Sequence, residues 1–76
     1  MKTYLVIWHN SEGGTPSQVH DRLVSMGFKP VKGNFDYVYE WNKMSSIHQI
    51  LEIGNAVHAT LKGQNVLYKL ETVDTE

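Results

Sequence analysis

The segment Gly27-Phe28-Lys29-Pro30-Val31-Lys32-Gly33-Asn34-Phe35-Asp36-Tyr37-Val38-Tyr39-Glu40-Trp41 constrains the fold of this chain more than any other. It reads as a helix stop, a short strand, a tight turn and a second, alternating strand. Gly27 suits the left-handed residue that closes a helix. Pro30 has no N–H to give to a ladder, so a strand over Phe28–Lys32 is expected at a sheet edge. Gly33 and Asn34 both tolerate positive φ, as a two-residue hairpin turn requires. In the following strand Phe35, Tyr37, Tyr39 and Trp41 share one face. Asp36, Val38 and Glu40 share the other.

The flanks each supply a strand and a helix. Tyr4-Leu5-Val6-Ile7-Trp8-His9 is a nearly unbroken β-branched and aromatic run. Such a run predicts a central strand buried on both faces. After the loop Asn10–Gly14, Thr15-Pro16-Ser17-Gln18 opens a helix, with Thr15 and Gln18 as a capping box and Pro16 in the first turn. Val19, Leu23 and Met26 form its apolar stripe. Ser45 or Ser46 caps the second helix, and Ile47, Ile50, Leu51, Gly54, Val57 and Leu61 are its predicted buried stripe. Gly54 lowers helix propensity, so it is expected to serve close packing against the sheet. Gly63 ends that helix, and Val66–Val73 alternates as the last strand.

The element order is therefore β-α-β-β-α-β, the split βαβ or ferredoxin-like arrangement. It predicts an α+β domain over residues 1–76, with both helices on one face of a four-stranded antiparallel sheet. Burying Asp36 and Glu40 under the helices would leave them without partners, so Phe35, Tyr37 and Tyr39 are expected to face the helices. The uncovered face then holds Asp36, Val38, Glu40, Leu67, Lys69, Glu71 and Val73. It also takes half of the first strand, Tyr4-Val6-Trp8 or Leu5-Ile7-His9. An apolar and charged face on so small a domain predicts a homodimer interface.

Composition narrows the chemistry. The chain has 76 residues and no cysteine, which excludes disulfides and thiolate metal sites. A formal net charge of −1 argues against a binder driven by charge toward nucleic acid. No apolar run approaches the ~20 residues of a membrane span, and no signal-peptide layout opens the chain. No membrane partner is expected, and the cytoplasm is the expected location. His9, Asn10, Gly13, Gly14 and Thr15 form the candidate ligand site. There an imidazole able to exchange protons near neutral pH stands close to a helix N-terminus that favours anions. The competing reading is a strand-end histidine and a turn asparagine. His20, His48 and His58 read as solvated helix residues, and no His-x3-His pair appears. Neither a metal site nor a cofactor is expected, and no catalytic constellation is complete. Lys29, Lys32 and Lys43 are candidates for a modest basic edge toward nucleic acid. The aromatic residues could stack bases if they lay on the open face. The competing reading places them in the core.

Met26-Gly27-Phe28-Lys29-Pro30-Val31-Lys32-Gly33-Asn34, followed by an aromatic-rich strand, resembles the virulence-associated protein D family. It is also similar to the related small CRISPR-associated nucleases. That resemblance implies a homodimer and, in many members, metal-dependent phosphodiester cleavage by an aspartate ending the first strand. His9 occupies that position here, or Trp8 with a one-residue shift, and no acid precedes Glu12. A hard cation such as magnesium needs oxygen ligands, so the metal chemistry is expected to be absent or altered. Two functions follow. One is a small dimeric binding or interaction domain. The alternative is a nucleic-acid-associated protein, a weak or degenerate metal-dependent (endo)ribonuclease.

Overall fold

Both helices begin where the chain supplies reciprocal caps, as seen in the computed structural model, which describes residues 1–42 and 46–74. Thr15 Oγ1 accepts the Gln18 N–H at 3.3 Å while Gln18 Oε1 accepts the Thr15 N–H at 3.0 Å. Ser46 and Gln49 repeat the exchange at 3.3 and 2.9 Å. Each box satisfies donors that a helix end otherwise leaves unpaired. The first helix stops at Gly27, whose φ of 107° is left-handed. Its N–H returns to the carbonyls of Leu23 and Val24.

The elements are β1 (Lys2–Trp8), α1 (Pro16–Met26), β2 (Lys29–Pro30), β3 (Tyr37–Glu40), α2 (Ile47–Leu61) and β4 (Leu67–Val73). They build one four-stranded sheet in the order β2-β3-β1-β4, antiparallel throughout. This is the expected α+β, ferredoxin-like architecture. β1 is central, and the Pro30 strand lies at an edge because proline removes a ladder donor.

One face of the sheet carries the core. Leu5 and Ile7 of β1 pack with Val19 and Leu23 of α1, Phe28, and Val57 and Leu61 of α2. Tyr37, Tyr39, Tyr68 and Leu70 complete that face. Thr3 is the single buried polar residue among those described. Its Oγ1 accepts the Trp41 indole N–H at 2.9 Å and shares a hydrogen bond with the Thr72 hydroxyl at 2.8 Å. Paired polar groups in that position tie β1 to both neighbours in one register.

Four expectations need correction. β1 is covered on one face only, and Tyr4, Val6 and Trp8 look out from the other. The two-residue hairpin turn does not form. Among the described residues, only Gly33 of the pair has positive φ, at 106°, and residues 31–36 make a longer connection. Asp36 explains this: its N–H donates to Leu5 O at 2.9 Å and its carboxylate accepts the Ile7 N–H at 2.8 Å. The chain is thus drawn to β1 rather than folded tightly on β2. Phe35 consequently leaves the aromatic stripe and stacks on Tyr4, with ring centroids 4.5 Å apart, on the uncovered side.

The fourth correction concerns α2. Ile47 and Leu51 stay 65% and 57% exposed, and Ile53 packs on the core instead. Gly54 is not a point of forced close approach. A Cβ built there meets only Leu70 Cδ1, at an ordinary 3.9 Å. Gly54→Ala should therefore stabilise the protein by about 0.5–1 kcal/mol, through helix propensity and a less free unfolded chain. Urea denaturation checks this, and a loss of stability would show that the helix sits closer to the sheet.

Candidate functional site

The loop singled out by its histidine and glycines is a structural joint. Asn10 Oδ1 accepts the Glu12 N–H at 2.8 Å, and its carbonyl accepts the Gly13 N–H at 3.0 Å. These bonds close a local asparagine turn. The Gly14 N–H donates to Gln64 O at 2.9 Å, joining this loop to the one between α2 and β4. A Cβ on Gly13 would collide with the Gln64 carbonyl, and one on Gly14 with the Gln64 side chain. The two glycines thus make room for Gln64. Thr15 is engaged with Gln18 and with Ser17, at 3.3 Å from the latter hydroxyl. His9 is exposed beside this joint. The five residues are adjacent in the chain, and Asn10, Gly14 and Thr15 bond to Glu12 and Gly13, to Gln64, and to Gln18 respectively.

His20 was read from the sequence as solvated, yet it is held. Its Nδ1 lies 2.9 Å from the Tyr37 hydroxyl, with Asp36 adjacent in the chain. The period of α1 places His20 beside Val19 on the core-facing side, a signal that a single polar residue does not announce. Burial raises the Tyr37 hydroxyl above its ordinary value of 10.0, and the charge of Asp36 adds to this. The fold therefore holds that proton more tightly than the unfolded chain does. Its stabilising share is complete below pH 10 and disappears as pH rises through the folded value. Wild type should lose stability above pH 10 more steeply than Tyr37→Phe. Denaturation midpoints from pH 9 to 11.5 test this, and parallel curves would refute it.

Lys29 sits on β2 and Lys32 in the connection to β3, both exposed, and Lys43 lies outside the described residues. Among the described residues, no three of His, Asp and Glu come together as a metal site would require. An open cleft of about 240 Å³ lies between Tyr39 and Trp41 of the sheet side and Gln49, Glu52 and Ile53 of α2. Glu52 is its sole ionisable acid, and no described base stands opposite it.

The feature that does stand out is apolar. β1 and β4 pair Trp8 with Leu67 on the uncovered face, and these side chains are 53% and 73% exposed. The ladder sets Val6 beside Lys69, Tyr4 beside Glu71, and Lys2 beside Val73 on the same face. Val38, flanked by Tyr4 and Lys29, is the one open-face residue that is buried. Sequence reasoning anticipated this surface but offered both halves of β1 for it. The covered half is Thr3, Leu5 and Ile7. None of the described helices is long and apolar enough to cross a membrane. Compared with known protein families, curated proteins and solved structures, the chain matches none.

Proposed function

We propose that this protein is a small interaction domain that works as a homodimer and joins partners through surfaces rather than through catalysis. One observation carries this reading: Trp8 and Leu67, 53% and 73% exposed, lie adjacent on an uncovered sheet face. Large exposed apolar patches on a small domain mark contact surfaces. Asn10, Gly14 and Thr15 are taken up by local and inter-loop hydrogen bonds, which supports the same view. Sedimentation equilibrium is the test. The expected species has twice the 8.7 kDa of the chain. A monomer at every concentration would refute the dimer.

A second reading has one observation in its favour. Tyr4, Phe35 and Trp8 are on the open face, together with Lys2, Lys29 and Lys69. Aromatic rings interleaved with lysines can stack single-stranded RNA. Retention of a labelled RNA oligomer at low salt, lost in Trp8→Ser, would favour it. Degradation of that RNA, abolished by EDTA or by His9→Ala, would favour the ribonuclease.

A further inference from the structure

The sheet has two edges and they are not alike. β2 is a two-residue strand containing Pro30, a form that resists pairing with another chain. β4 is seven residues long, contains neither proline nor glycine, and pairs with β1 without a bulge. Its outer row of backbone donors and acceptors is a template for another strand.

Resting on the homodimer reading, we infer that two copies join by antiparallel pairing of β4 with β4, about a twofold axis through Leu70. Two four-stranded sheets become one of eight. A twofold perpendicular to the sheet keeps both helical layers on one side. It also requires one residue of β4 to stand opposite itself. Centring on Lys69 would oppose two lysines, and centring on Glu71 would oppose two glutamates, both unfavourable. Centring on Leu70 places Lys69 opposite the partner's Glu71, and Glu71 opposite the partner's Lys69. The same register sets Leu67 against the partner's Val73 and Tyr68 against the partner's Thr72. All seven residues of β4 then find a suitable neighbour.

Lys69 and Glu71 are free to do this. Within one chain their charged atoms are 4.0 Å apart and both side chains are largely solvated. Such an exposed pair contributes little by itself. The helical layer agrees with the edge contact. Gly54 of α2 looks onto Leu70 of β4, while Gln49 and Ile53 look toward Tyr39 and Trp41. On a helix of 3.6 residues per turn, Ile47 and Leu51 follow Gly54 on the side away from Ile53. They therefore overhang the free edge of β4. A second copy paired there would cover them with its own α2. Leu67, beside Trp8 on the uncovered face, then meets the partner's Val73, so the exposed apolar pair adjoins this edge contact while the rest of the face becomes continuous across the dimer.

Sedimentation of charge variants tests the register. Lys69→Glu and Glu71→Lys should each weaken the dimer on the order of tenfold or more, because each change creates two like-charge oppositions. The double variant should recover to within about threefold of wild type, since opposite charges face each other again. An equimolar mixture of the two single variants should form a heterodimer tighter than either homodimer. Val24→Ser, at an exposed position of α1, which packs toward β2 at the other edge, should leave the dimer unchanged. A dimer indifferent to the single reversals, not rescued in the double variant, or lost in Val24→Ser would overturn the β4 contact while leaving the homodimer standing. A monomeric wild type would remove both.

Discussion

Phe28→Ala should lower the unfolding free energy by about 3–5 kcal/mol, as large-to-small changes at sealed core sites do. Phe28 is fully buried where α1 turns into β2, and it belongs to the cluster that joins both helices to β1. Its ring meets Tyr39 in a tilted arrangement with centroids 5.5 Å apart. Its N–H also donates to Leu23 O at 3.1 Å, so the backbone there is pinned by the helix stop. A pinned backbone cannot collapse inward, and the cavity would persist. A domain of this length has roughly 4–11 kcal/mol of total stability at about 0.05–0.15 kcal/mol per residue. The variant should therefore lose from about a quarter to all of that stability. A urea transition shifted by less than about 1 kcal/mol would mean that this corner repacks freely.

Gly13→Ala should be the next most damaging change, at about 2–4 kcal/mol from overpacking plus a strained hydrogen bond. The obstacle is the backbone carbonyl of Gln64, with the Asn65 Cβ only 2.8 Å from the added atom. Backbone cannot swing aside as a side-chain end can. Separating the loops would stretch the bond from the Gly14 N–H to Gln64 O and loosen the seat of both α1 and β4. Gly14→Ala is the control, because there the nearest obstacle is the Gln64 side-chain end. Thermal denaturation should rank wild type above Gly14→Ala, and Gly14→Ala above Gly13→Ala. Equal melting temperatures for the two variants would show that the loops are not rigidly joined.

The glycine pair also illustrates how one composition can serve two ends. A histidine, an asparagine and two glycines before a capped helix have the composition of a ligand loop. The same composition suits a crossing of two loops, where glycine makes room for backbone. Only the position of Gln64, fifty residues further along, separates these readings. Tyr37 and His20 teach the converse, since residues assigned to filling and to solvent meet at 2.9 Å. No spacing rule connects a helix position to a strand that follows it across a turn.

What the sequence by itself determined is everything set by neighbours a few residues apart. Thr15 with Gln18 and Ser46 with Gln49 start the helices, Gly27 stops the first, and Pro30 confines its strand to an edge. From these the order of elements, and so the ferredoxin-like layout, could be read directly. Tertiary structure alone decided which half of β1 faces the helices, why Phe35 leaves the aromatic stripe for Tyr4, and why Ile47 and Leu51 stay outside. The physical reason is the range of the forces involved. Caps and turns are satisfied within one or two turns of chain, whereas the rotation of a helix and the face of a strand are set by packing against residues distant in sequence.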